Sequence, residues 1–143
     1  MAKKKVLVVE DDREISELIT YNLQRENYDI SCLYDGGHVI EYVRKRNPDL
    51  IILDLMLPEI DGLEICRTLK NDPVTKRIPI IMLTAKSEES DVVIGLQMGA
   101  DDYIPKPFSP TVLTARIKAF TRCISDVKRS LKRSSRETEE ITG

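Results

Sequence analysis

A chain of 143 residues with 41% hydrophobic and 32% charged side chains suits one soluble domain able to bury a real core. A formal charge of −2 and a pI of about 5.5 give no general pull toward nucleic acid or a membrane surface. No apolar run approaches the roughly 18 residues of a membrane span, and only four apolar residues, Val6 to Val9, follow the lysines after Met1, too few for a secretory signal.

In chain order, Val6-Leu7-Val8-Val9 is a continuous apolar run ending in Glu10-Asp11-Asp12. Ile15, Leu18, Ile19 and Leu23 then follow the spacing of an amphipathic helix, with Asp12 as its N-cap. Asp29 to Leu33 reads as a short strand, and Val39, Ile40 and Val43 mark a second helix stopped by Asn47-Pro48. Leu50 to Leu53 is too short for a helix and is bounded by proline signals, so it reads as a strand buried on both faces, with Asp54 at its lip. A helix cap is the ordinary reading of such an aspartate, but Pro58 and a helical pattern that starts only at Gly62 argue against it. Leu63, Cys66 and Leu69 give a third helix, and Ile78 to Leu83 a further strand ending in Thr84. Ser87 to Met98 forms a helix with Val93 and Leu96 toward the core and Gly99 at C′. Tyr103-Ile104 is a fifth strand, and Ser109-Pro110 opens a last helix as N-cap and N1.

Five βα units imply a doubly wound parallel sheet with helices on both faces. Strand order 2-1-3-4-5 makes the first and third strands neighbours at the switch point, which brings Glu10 and Asp11 beside Asp54. Thr84 and Lys106 lie at two further strand ends. Taken one at a time, each of these residues has an ordinary explanation: a solvated lysine, a β-forming threonine, acids at a helix start. At four separate strand ends their convergence points to chemistry. Crowded carboxylates repel and call for a cation, and an all-oxygen set without His or Cys suits Mg²⁺. With Lys106 and Thr84 the set becomes a clamp for a phosphoryl group, and Asp54 the nucleophile that forms an acyl phosphate.

The chain resembles the receiver domains of bacterial two-component response regulators. Val8-Val9-Glu10-Asp11-Asp12, Leu53-Asp54-Leu55-Met56-Leu57-Pro58 with Asp61-Gly62, Met82-Leu83-Thr84-Ala85, and Gly99 through Phe108 carry the likeness, over about residues 4 to 124. The last segment and Met56-Leu57-Pro58 are most similar to receivers of the winged-helix, OmpR/PhoB-type subfamily. The resemblance implies a flavodoxin-like fold with five strands and five helices, and phosphorylation of Asp54 by a histidine kinase or phosphotransfer protein. It also implies Mg²⁺ held by Glu10, Asp11, Asp54 and the Met56 carbonyl, contacts from Thr84 and Lys106 to the phosphoryl group, a rotamer change at Tyr103, and a cis peptide before Pro107. A homodimer promoted by phosphorylation would use the 87–98 helix, the fifth strand and the last helix. Asp101, Asp102, Arg116 and Lys118 keep part of that face, but Val92 and Val112 stand where a charge pair usually sits. A phosphatase of the haloacid-dehalogenase type is the rival reading, but it needs an acid two residues after its nucleophile, where this chain has Met56.

The receiver is expected over residues 1–124 and a helical extension or linker over 125–143, shorter than the roughly 40 residues an independent core needs. Leu113, Ile117, Phe120, Ile124, Val127 and Leu131 form a heptad seam whose first three members should face the core. Its continuation reads either as a coiled coil or as a solvated helix. Acidic residues there offset the basic cluster Lys128 to Arg136, so direct nucleic-acid binding is not expected. Cys32, Cys66 and Cys123, odd in number and widely spaced, indicate idle thiols in a reducing, cytoplasmic compartment.

Overall fold

The computed structural model describes residues 3–58, 60–84, 93 and 96–122. Five short strands form one parallel sheet: β1 (Lys5–Val9), β2 (Asp29–Leu33), β3 (Leu50–Asp54), β4 (Ile80–Thr84) and β5 (Asp102–Pro105). Their order is β2-β1-β3-β4-β5, as the crossover and switch-point rules anticipate. β3 and β4 are buried at every position, the condition of a strand covered on both faces.

Alternation along the strands divides the core in two. Leu7, Val9, Ile51, Leu53, Ile80 and Met82 face α2 (Val39–Arg46) and α3 (Gly62–Asn71), which add Val39, Val43, Ile65, Cys66 and Leu69. Val6, Val8, Leu50, Ile52, Ile81 and Leu83 face α1 (Arg13–Arg25) and α4 (residues 110–122), which add Ile19, Leu23, Leu113 and Ile117. Each fully buried Leu or Ile contributes about 1.5–3 kcal/mol, so these two layers dominate the stabilisation.

Local chemistry ends the helices where the site needs them to end. Asp12 caps α1, its Oδ1 accepting from the amides of Glu14 at 3.0 Å and Ile15 at 3.3 Å, an arrangement worth about 1 kcal/mol. Asp61 does the same for α3, accepting from Leu63 N–H at 3.0 Å. Asn47 closes α2 in the left-handed conformation (φ 47°), and Pro48 then bars continuation. Ser109 Oγ accepts from Val112 N–H at 3.4 Å at the start of α4.

The structure differs from the sequence reading at several places. Leu18 is 43% exposed, because Ile19 and Leu23 fill the α1 contact and Leu18 falls beside that stripe. Val93 and Leu96, expected to face the core, are 44% and 48% exposed, while Met82, Ala100 and Tyr103 are buried in the layer on that face. Two apolar residues three apart share a helix face without telling which face is buried. The fourth strand begins at Ile80, two residues later than expected. Most of the expected 87–98 helix lies outside the described residues, of which 93, 96 and 97 are helical. Val92 and the stretch 125–143 lie outside them too. Among the described residues no helix is long and apolar enough to cross a membrane.

Candidate functional site

Parallel strands place all their carboxyl ends on one rim, and the 2-1-3 order sets the end of β1 beside that of β3. Glu10 extends the β1 ladder by one bond, its N–H donating to the Leu33 carbonyl at 3.1 Å. Asp54 is the last residue of β3, and Thr84 the last of β4, fully buried. Lys106 follows β5, and its N–H donates to the Thr84 carbonyl. These residues, far apart in the chain, therefore meet because of strand register alone.

Carboxylate oxygens of Glu10, Asp11 and Asp54 lie within 4.8 Å of one another. Glu10 is fully buried, Asp54 nearly so, and Asp11 opens to solvent. The Lys106 ammonium is ion-paired with Glu10 Oε1 and stands 3.5 Å from Asp54 Oδ2, with only 17% of its side chain exposed. Neither Glu10 oxygen meets any other hydrogen-bond donor among the described residues. Asp54 Oδ1 accepts from the Met56 N–H at 3.1 Å, which fixes the carboxylate's rotamer. Met56 itself is 60% exposed.

Burial, and then the Asp54 carboxylate beside it, pushes Glu10 from its ordinary 4.5 up to about 8, against the opposing pull of Lys106. For Lys106 burial alone would lower the pKa. Its contacts with Glu10 and Asp54 outweigh that and hold the ammonium above its ordinary range. Lys106 is thus a cation set between two buried acids.

Tyr103 is buried in mid-β5, opposite Met82, and the Lys106–Pro107 peptide is cis. On the outer face of the sheet end, Arg116 Nη1 donates to both carboxylate oxygens of Asp102 at 3.0 Å, within one chain. Val112 is 48% exposed on α4. Asp101 takes no part in that cluster: its Oδ2 accepts from Lys70 Nζ and from the Ile80 N–H, each at 2.8 Å. Lys70 was missed in the sequence, where a lysine in the last helical turn looks like a partner for the helix dipole. The signal in the sequence is Gly99, whose missing Cβ leaves room for the Lys70 stem beside it.

A family model described as the response regulator receiver domain matches residues 6–118. The BeF3-activated N-terminal receiver domain of Klebsiella pneumoniae RstA is 36% identical, with a TM-score of 0.78 over 83% of this chain and 99% of that one. The receiver domain of Francisella response regulator 1452 is 30% identical, with a TM-score of 0.80 over 85% of this chain and 99% of that one. DrrB, an OmpR/PhoB homolog from Thermotoga maritima, is 33% identical, with a TM-score of 0.77 over 85% of this chain and 54% of that one. With four-fifths of its length matched and the strand-end acids gathered on one rim, the chain belongs to the response regulator receiver domain family.

Proposed function

We propose that this chain is the phosphoacceptor switch of a two-component relay, with Asp54 receiving a phosphoryl group from the phosphohistidine of a histidine kinase or phosphotransfer protein. One observation carries the reading: Asp54 is a nearly buried carboxylate on a strand end, oriented by the Met56 N–H and faced by one lysine and two more acids. An Asp54 oxygen attacks phosphorus, a P–O bond forms, and the P–N bond to imidazole breaks, the nitrogen keeping the electron pair. Lys106 offsets the charge gathering on the phosphoryl oxygens, and Thr84 donates its hydroxyl to one of them. Tyr103 moves as Thr84 is drawn in.

The residues fit Mg²⁺. The donors are all oxygen, Glu10 has buried oxygens short of partners, and Asp11 leaves a side open to water. Glu10, Asp11, Asp54 and the Met56 carbonyl would hold it, and its charge relieves repulsion between these carboxylates and the incoming phosphoryl group. With Met56 where a general base would stand, the acyl phosphate turns over slowly, as befits a switch and not an enzyme. Residues 1–124 form the receiver in this reading, with 125–143 a helical extension or linker, and the relay runs in the cytoplasm. Phosphorylation promotes a homodimer through the face of Val92, Asp101, Asp102, Val112 and Arg116, and the output is control of transcription where a DNA-binding domain is joined to the receiver.

The test is intact-mass spectrometry after incubation with acetyl phosphate and Mg²⁺. One added phosphoryl group is expected in the native chain and none in Asp54→Asn. Undiminished labelling of that variant would remove Asp54 from the role.

A further inference from the structure

β5 delivers Lys106 to the acidic rim and carries Tyr103, yet it is the least supported strand. It has four residues, lies at the sheet edge and pairs with β4 alone. A slip of one residue against β4 would turn every side chain of β5 to the opposite face. At the end away from the site, several bonds converge on the residue that precedes β5.

Asp101 is tied to Ile80 in both directions. Its N–H donates to the Ile80 carbonyl, and its Oδ2 accepts from the Ile80 N–H, each at 2.8 Å. The same Oδ2 accepts from Lys70 Nζ at 2.8 Å. That ammonium also donates to the carbonyls of Ile78 at 2.8 Å and Lys76 at 3.3 Å, so one charge ties α3, the approach to β4 and the start of β5. The Lys70 side chain is only 16% exposed, and its stem fills the space beside Gly99, where a Cβ would lie 2.8 Å from Lys70 Cγ. A poorly solvated ammonium holds such a place only if its donors are satisfied.

We propose that Lys70 and Asp101 are a register pin for β5, positioning Lys106 and Tyr103 from the far end of the strand. Asp101 thereby serves inside the chain as well. The pin itself stands on geometry, and only its consequence for labelling rests on the phosphoacceptor reading.

The test uses the full chain and four variants. Lys70→Met keeps the stem beside Gly99 and loses the ammonium, Asp101→Asn keeps the shape, the double variant measures coupling, and Lys70→Arg restores a donor. Amide exchange of Tyr103 and Ile104 is followed by NMR, with thermal melts to confirm folding. The initial rate of Asp54 labelling by acetyl phosphate with Mg²⁺ is measured alongside. Lys70→Met and Asp101→Asn should each speed exchange in β5 about tenfold, with β1 and β3 unchanged, and slow labelling several-fold. The double variant should be no worse than the worse single one, and Lys70→Arg should recover most of both readouts. Native exchange and native labelling in Lys70→Met overturn the pin. So does an Asp101→Asn effect seen only at dimer-forming concentrations and absent from Lys70→Met. A native chain that takes no label refutes the phosphoacceptor reading instead, and the exchange data then decide the pin by themselves. Should Lys70→Met fail to fold, Asp101→Asn against Lys70→Arg decides by the same readouts.

Discussion

Gly62 opens α3 directly behind the loop that follows Asp54, and Gly62→Ala tests how closely that helix must approach. A Cβ at this position would lie 2.3 Å from the Asp54 carbonyl oxygen, 2.9 Å from Leu55 Cα and 3.0 Å from the Leu55 carbonyl oxygen. All three are backbone atoms, so no side chain can rotate away, and the helix must retreat by roughly 1 Å to recover ordinary contact. The retreat weakens the bond from Gly62 N–H to the Leu55 carbonyl, now 3.1 Å, which is worth about 1 kcal/mol. Overpacking adds about 1–3 kcal/mol, while alanine's better helix propensity returns at most about 1 kcal/mol. The clash wins, and a net loss of about 1–3 kcal/mol should lower the melting temperature by roughly 4–12 °C for a domain of this size. Gly36→Ala is the control. Its Cβ would come 2.8 Å from Ile65 Cδ1, the end of a flexible side chain, and no closer than 3.2 Å to anything else. That substitution should cost less than about 1 kcal/mol. Urea and thermal unfolding of both variants measure the difference. Gly62→Ala as stable as the native chain, or less damaging than Gly36→Ala, would refute the close-approach reasoning.

Two further outcomes follow from charge and burial. Glu10→Gln leaves Lys106 paired with Asp54, so no charge is orphaned, and in a chelating buffer the variant should gain on the order of 1–3 kcal/mol in urea unfolding. Native Glu10 keeps its proton after the unfolded chain has lost it, so wild-type stability falls, and the variant's advantage grows, as pH rises from 4.5 toward about 8. A flat difference across that range contradicts it. Cys66 is fully buried, and burial pushes its thiol up to about 11, so a thiol reagent at pH 8 should label half-buried Cys32 and reach Cys66 only on unfolding. Prompt native labelling of Cys66, located by peptide mapping, would disprove its enclosure.

The parts legible in the sequence are those written in contiguous residues. Leu50 to Leu53 announces a strand covered on both faces, and Asp12, Asn47-Pro48, Gly99 and Ser109-Pro110 announce helix ends. From these the strand order follows by topology, and with it the meeting of Glu10, Asp11 and Asp54. What stayed hidden depends on which partner a side chain finds. Leu18, Val93 and Leu96 have the spacing of buried residues, but spacing cannot say how much apolar surface arrives opposite them. Asp101 and Asp102 are adjacent and alike, yet one turns to Lys70 on α3 and the other to Arg116 on α4. Successive strand residues point to opposite faces, and that alternation separates the two roles.

The same alternation explains why the rim can be electrostatically poor without endangering the fold. Both apolar layers lie below it, and apart from Tyr103 they are filled by residues to which no role in the site is given. At the rim, two buried acids share Lys106, and a third acid stands close by in solvent. Replacing this set by apolar residues of similar volume would be expected to stabilise the chain, because buried ion pairs seldom repay their desolvation. Such a set is the kind of arrangement that the cation and phosphoryl group proposed above would relieve. The phosphoryl group proposed for Asp54 replaces one carboxylate charge with up to about two on the acyl phosphate, a net gain of about one negative charge, and must redirect the cation already engaged there. Any arrangement in which Lys106 served Glu10 and Asp54 equally before and after that event would transmit nothing. A lysine held mostly by Glu10 and at 3.5 Å from Asp54 is instead placed to change partners, and the short edge strand that carries it is the element such a change would pull.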